Sequence, residues 1–177
     1  MSKTITLSIT LPAKAAQLFE MYTDPKKHKA ITGAPAKVSA KAAAPFSAFG
    51  GKLLGKTLCA VPNKQFVQTW RSKSWKVGDT DSILVLTFSQ KGKKARIDLV
   101  HANVPDHDAR AVKKGWKKFY WKPWKKYLKA EEKGEGRGSS VSAARTAHTK
   151  KRRRSAARAP RSVSIAPPKE MGGPERS

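Results

Sequence analysis

Residues 82–103 decide the fold: Ser82-Ile83-Leu84-Val85-Leu86-Thr87-Phe88-Ser89-Gln90-Lys91-Gly92-Lys93-Lys94-Ala95-Arg96-Ile97-Asp98-Leu99-Val100-His101-Ala102-Asn103. Ile83 to Phe88 is an apolar run with a strand's composition, and Lys91-Gly92-Lys93 supplies a tight turn. After it the chain alternates, with Ile97, Leu99 and His101 on one face and Arg96 and Asp98 on the other. Two strands, Ser82–Gln90 and Ala95–Asn103, are therefore expected to run antiparallel. This is the pattern of a meander, not of a βαβ series.

Toward the N-terminus, Lys37–Ala40, Pro45–Phe49, Lys52–Val61 and Gln65–Arg71 read as further short strands. Ala-rich, Gly-Gly and Pro-Asn punctuation separates them. Gly33, Gly50-Gly51 and Gly55 are read as turn and hairpin glycines. Farther back, Asp24-Pro25 has the chemistry of an N-cap and first helical residue, opening a short helix that ends at Thr32-Gly33. Before it, Ala15, Leu18, Phe19 and Tyr22 have helical spacing, with Pro12 placed where a helix can begin. Ile5, Leu7, Ile9 and Leu11 alternate with Thr and Ser as in a half-buried strand.

Toward the C-terminus, Pro105-Asp106 opens a long helix, expected to run from Asp106 to Lys129. At 100° per residue, Val112, Trp116, Phe119, Pro123 and Tyr127 share one stripe, with Tyr120 beside it. Lys114, Lys118, Lys122, Lys125 and Lys129 occupy the opposite arc, with Trp121 and Trp124 at its margins. Pro123 inside this helix costs about 3 kcal/mol or forces a kink. A bend is expected near Phe119–Tyr120.

The 177 residues divide in composition. Residues 131–177 contain no Phe, Tyr or Trp, and are read as a disordered basic tail rich in Ser, Ala, Arg and Pro. Residues 1–130 form the one folded domain. The full chain carries a formal net charge of +26, of which residues 1–130 account for +19. A domain this basic stays soluble and attracts polyanions. No run approaches the roughly 18 apolar residues of a helical membrane span. A single cysteine, Cys59, argues against a disulfide scaffold and a cysteine-based zinc site, and suits a reducing compartment. The first eleven residues lack the apolar core of a secretory signal, so the expected location is cytoplasmic. In a eukaryotic host, Lys150-Lys151-Arg152-Arg153-Arg154 would serve as a nuclear address.

Several segments together resemble a known family. They are Leu11-Pro12-Ala13 with Leu18-Phe19, Ile31-Thr32-Gly33-Ala34-Pro35, Val61-Pro62-Asn63-Lys64, Trp70-Arg71-Ser72-Lys73-Ser74-Trp75, Leu86-Thr87-Phe88, and Gly115-Trp116 with Phe119-Tyr120-Trp121. From about Thr4 to Leu128 the chain resembles the C-terminal-domain family of the activator of the ninety-kilodalton heat-shock-protein ATPase. That family lies in the START-like (SRPBCC), helix-grip superfamily. The resemblance implies an α+β fold. A curved antiparallel sheet of six to seven strands would wrap around the long C-terminal helix, with two short helices after the first strand. It implies a hydrophobic cavity under that helix and a non-enzymatic binding or adaptor role toward a heat-shock chaperone. The basic helix and tail depart from the family pattern.

No catalytic constellation is visible in the sequence. The four histidines make no metal-binding spacing, and Asp106-His107-Asp108 is read as helix-start chemistry rather than a metal site. No cofactor site and no enzymatic activity are expected. The candidate cavity lining is Phe19, Phe46, Leu54, Trp70, Leu84, Leu86, Phe88, Leu99, Trp116, Phe119 and Tyr120, for an apolar small molecule. The competing reading is that these residues simply fill the core. The candidate contacts to nucleic acid or another polyanion are Lys114, Lys118, Lys122, Lys125, Lys129, Lys150, Lys151, Arg152, Arg153 and Arg154. Trp121 and Trp124 would add stacking on bases.

Overall fold

The structure is a computed structural model, and it describes residues 1–133. Strand β1 (Ser2–Leu11) turns its Thr and Ser side chains to solvent and Ile5 and Leu11 to the core. Helix α1 (Ala15–Thr23) buries Leu18, Phe19, Met21 and Tyr22. It starts three residues after Pro12, because Ala13 N–H first donates to Leu11 O and turns the chain. No side chain beside it caps it. Gln90, from a distant hairpin, takes that role by accepting from Ala15 N–H at 2.8 Å.

Helix α2 (Pro25–Thr32) has the expected ends. Asp24 Oδ1 accepts from Lys27 N–H at 2.8 Å, Pro25 opens the first turn, and Gly33 closes the helix with φ 74°. Six strands follow: β2 (Ala36–Lys37), β3 (Pro45–Ala48), β4 (Leu53–Val61), β5 (Gln65–Ser72), β6 (Ser82–Lys91) and β7 (Lys94–Pro105). All pairs are antiparallel, in the order β1-β7-β6-β5-β4-β3-β2. The β6–β7 hairpin closes at Lys91↔Lys94, leaving Gly92-Lys93 as its loop.

Gly55 is not a turn glycine. It lies within β4, where a Cβ would meet Thr69 O at 2.0 Å. Only glycine allows β5 to approach this closely.

The chain then enters α3 (Asp106–Gly115), a π-helical turn (Trp116–Trp121) and a further helical stretch, 122–133. The expected irregularity near Phe119–Tyr120 is thus a π turn, in which Lys122 N–H bonds Lys117 O. A π turn inserts one residue into the helical register. Its position suits Pro123, which has no N–H to donate and would crowd the carbonyl four residues back.

The insertion corrects the expected apolar stripe. A regular helix places Phe119, Pro123 and Tyr127 inward. The structure instead buries Tyr120, Trp124 and Leu128, each one residue later, together with Trp121. Trp121 and Trp124 therefore belong to the core and offer no stacking surface beside the lysines. Among the described residues no helix is long and apolar enough to cross a membrane.

Candidate functional site

A half-open groove of about 380 Å³ lies between the sheet and the last helix. Phe49, Lys52 and Leu53 of the β3–β4 connection form one wall. Trp70, Ser72 and Ser74, at the end of β5, form the floor. Asp108, Val112, Trp116, Phe119 and Tyr120 of the last helix form the facing wall. Its size falls within the usual range for small-molecule sites.

Local structure explains the rim. Phe49 adopts φ 53°, followed by Gly50 at 68° and Gly51 at 79°. A left-handed conformation is unusual for a bulky side chain and costs free energy. Here it sets the Phe49 ring edge-on to Phe119, at 5.6 Å between centroids. Phe119 itself is 45% exposed. The π turn rotates it out of the core and onto the groove wall.

A buried hydrogen-bond relay holds the floor. Trp116 Nε1–H donates to His101 Nδ1 at 3.2 Å. Indole N–H can only donate, so Nδ1 is an acceptor and the neutral ring carries its proton on Nε2. That proton then faces Ser82 Oγ at 2.8 Å, and Ser82 Oγ–H donates to Trp70 O at 2.7 Å. Burial lowers the His101 pKa to about 3, keeping the ring neutral. Sequence reasoning missed this Ser82–His101 contact, which only the β6–β7 register creates. It superficially resembles a nucleophile and its base. However, a ring that already carries the Nε2 proton cannot accept one from serine, so the pair positions Trp70 and Trp116.

Behind Tyr120 lies a second cluster. The rings of Tyr22, His28 and Tyr120 form a triangle, with centroid separations of 5.7, 5.6 and 6.0 Å. Burial lowers the His28 pKa to about 4, and raises those of Tyr22 and Tyr120. Burial is the largest cause at Tyr22, followed by the charge of Tyr120. Gln68, also fully buried, faces Tyr22. Among the described residues, no hydrogen bond of ordinary geometry reaches the hydroxyls of Tyr22 and Tyr120, either His28 nitrogen, either polar atom of the Gln68 side chain or Trp70 Nε1, although Gln68 lies close enough to Tyr22 to oppose the rise in its pKa.

Of the expected cavity lining, Trp70, Trp116, Phe119 and Tyr120 meet on the groove wall. Phe19, Phe46, Leu84, Leu86, Phe88 and Leu99 are buried in the core and do not line it. Leu54 is 38% exposed. It pairs with Ser47, whereas its neighbour Leu53 pairs with buried Ala48, and cross-strand partners share a face. Leu53 therefore turns inward in its place. Phe49 and Leu53 are lining residues that sequence reasoning missed. A bulky side chain directly before Gly50-Gly51 was the available signal for Phe49.

Asp106 and Asp108 do not cap α3 with their side chains. Asp106 pairs with Lys3 at 2.6 Å, and Asp108 accepts from Trp75 Nε1–H at 2.7 Å. Asp98 pairs with Arg96 at 2.7 Å on the exposed side of β7. Among the described residues, Lys114, Lys118, Lys122, Lys125 and Lys129 are exposed and enter no salt bridge. Residues 131–133, expected to open the tail, instead continue the last helix, while Lys150, Lys151, Arg152, Arg153 and Arg154, with the rest of the expected tail at 134–177, lie outside the described residues.

Residues 12–129 match the family described as activator of Hsp90 ATPase homolog 1-like protein. An uncharacterized protein of Schizosaccharomyces pombe is 31% identical over 121 residues, which are 68% of this chain and 36% of that protein. The human activator of 90 kDa heat shock protein ATPase homolog 1 is 29% identical over 117 residues, 66% of this chain and 34% of that protein. The chain thus spans about a third of the length of these relatives. A solved HSP90 activator from Plasmodium falciparum shares the fold, with a TM-score of 0.64 and 22% identity, over 71% of this chain and 95% of its own. A Mesorhizobium loti protein does so with a TM-score of 0.63 and 18% identity, over 72% of this chain and 98% of its own.

Proposed function

The chain belongs to the activator of Hsp90 ATPase homolog 1-like family, and from that premise we propose that it is a non-enzymatic adaptor for a ninety-kilodalton heat-shock chaperone. The family match across residues 12–129 carries this reading. The Ser82–His101 geometry supports its non-enzymatic part, because this buried hydroxyl–imidazole pair has the wrong tautomer for base catalysis. The adaptor would bind the chaperone through its surface and raise the chaperone's ATP turnover without hydrolysing ATP itself. The test adds the full chain to a purified ninety-kilodalton heat-shock protein and follows phosphate release. A rise above the chaperone's own rate supports the reading, and no change across a concentration series rejects it.

The same proposal assigns the groove between Phe49, Trp70 and Phe119 to an apolar small molecule. Support comes from its aromatic walls and half-open shape. A ligand that binds only the folded state raises the melting temperature in proportion to the logarithm of its concentration.

A second reading rests on the exposed lysines of the last helix. They would contact nucleic acid or another polyanion through phosphate charge alone, since Trp121 and Trp124 are buried. Binding to a mixed-sequence duplex should then fall with salt at a log–log slope of about −0.9 per phosphate contacted. Removing residues 134–177 would reduce that slope. Absence of binding near physiological salt rejects this reading.

A further inference from the structure

Two residues of the groove wall carry polar atoms that have no partner among the described residues. Trp70 and Tyr120 both line the groove and are almost fully buried. Trp70 Nε1 and the Tyr120 hydroxyl are both unpartnered. Gln68 projects from the same face of β5 as Trp70, two residues away, and is fully buried with its whole amide unpartnered. Tyr120 is a shared partition. Its ring packs against Phe49 on the groove side at 5.9 Å, and against Tyr22 and His28 on the other at 6.0 and 5.6 Å.

Folded proteins leave few buried polar groups without partners, because each such group costs free energy. Here Tyr22, His28 and Tyr120 pack together, Gln68 faces Tyr22, and Trp70 shares the β5 face of Gln68, so five side chains with that property lie along one path inward from the groove. We propose that the groove extends past Trp70 and Tyr120 into this polar cell, and that it takes a small apolar molecule with an uncharged hydrogen-bonding head, such as an alcohol, phenol or ketone. The inference rests on the groove reading above and adds the chemistry of the ligand's buried end.

The head must be uncharged for a physical reason. The cell offers an indole N–H, a carboxamide, two phenols and an imidazole, all neutral. Burial disfavours the charged form of its histidine and of both tyrosines. An ionised carboxylate placed there would lose its hydration with no cation to replace it. The charged residues of the groove wall are Lys52 and Asp108, and neither belongs to the cell. The apolar body would lie along Phe49, Val112 and Phe119.

Three probes with one ring system separate the possibilities: naphthalene, 2-naphthol and 2-naphthoate. Each is titrated at pH 7 into the ¹⁵N-labelled full chain, following the Trp70 indole and Gln68 amide side-chain resonances. The expected result is that 2-naphthol shifts both resonances and binds about tenfold tighter than naphthalene, the difference one buried hydrogen bond makes. Gln68→Leu and Tyr120→Phe should each bring the affinity for 2-naphthol close to that for naphthalene measured in the same variant. Equal affinity of naphthalene and 2-naphthol overturns the proposal. So does tighter binding of 2-naphthoate, which would put the head at Lys52. If none of the three binds, the groove reading itself is overturned, and that outcome is distinct from failure of the polar end alone.

Discussion

Trp75 Nε1–H donates to Asp108 Oδ2 at 2.7 Å, and this bond straps the loop 73–81 to the first turn of α3. Related contacts support it. The Trp75 ring packs on Trp70 at 5.4 Å, and Arg71 donates to Lys76 O at 2.7 Å from within the loop's base. His107 Nε2 also approaches Asp79 Oδ2 at 3.7 Å. The strap closes one end of the groove, where Ser72, Ser74 and Asp108 meet.

Asp108→Ala removes a charged acceptor from a partly buried indole. It should destabilise the fold by about 2 kcal/mol, the usual cost of losing a hydrogen bond to a charged group. Urea unfolding measures the loss. Amide exchange should quicken over residues 73–81 and remain slow in β6 and β7. Unchanged exchange in the loop would show that ring packing alone holds it.

Stability should fall on mild acidification. The folded state holds His28 neutral down to about pH 4 and His101 down to about pH 3, while both take up protons near pH 6.5 once unfolded. The unfolded chain therefore binds more protons below pH 6.5. Stability is complete above that value and declines as pH drops toward 4. Each histidine contributes up to roughly 1.4 kcal/mol per pH unit, so about 4 kcal/mol is lost by pH 5. Urea titrations from pH 7 to 4 test this, and a flat profile contradicts it.

The phase of the last helix gives a sharp contrast between two aromatic residues. Trp124 is fully buried, and Trp124→Ala should cost about 3–5 kcal/mol. Phe119 is half-exposed on the groove wall, and Phe119→Ala should cost about 1 kcal/mol or less. A regular helix without the π turn predicts the reverse order. Thermal melts of the two variants decide between them.

Gln68→Leu should stabilise the ligand-free protein. It replaces a buried, unpartnered carboxamide with an apolar side chain of similar size. The gain expected is about 1–2 kcal/mol, the cost of a buried unsatisfied polar group. A higher urea midpoint with an unchanged slope is the predicted signature. A lower midpoint would show that Gln68 is already satisfied in solution.

Much of the fold was legible because its local signals agree with its global topology. Asp24-Pro25 and Gly33 mark the ends of α2, where capping and left-handed geometry require those residues. Lys91-Gly92-Lys93 marks the hairpin, and its alternating flanks set which face is buried. The candidate site was legible only in part. Of the residues the sequence suggests, Trp70, Trp116, Phe119 and Tyr120 come together on the groove wall. Leu54 was assigned to the wrong face, since a one-residue difference in register reverses a strand's sides. The Ser82–His101–Trp116 relay had no local signal, because its members lie 19 and 15 residues apart.

Local residue chemistry was enough to establish the order of elements, the antiparallel meander, the basic surface and the resemblance to its family. Capping, turns and alternation act within a few residues, so a linear reading captures them. Tertiary packing decided the rest. It chose a π turn at Trp116–Trp121, because a single added residue seats Trp121, Trp124 and Leu128 in the core while accommodating Pro123. That shift placed Phe119 on the groove wall and Tyr120 as the partition before Tyr22 and His28. A helical period read from sequence assumes a constant turn. Where burying large side chains is worth more than regular hydrogen bonding, the period changes, and only the packed structure records it.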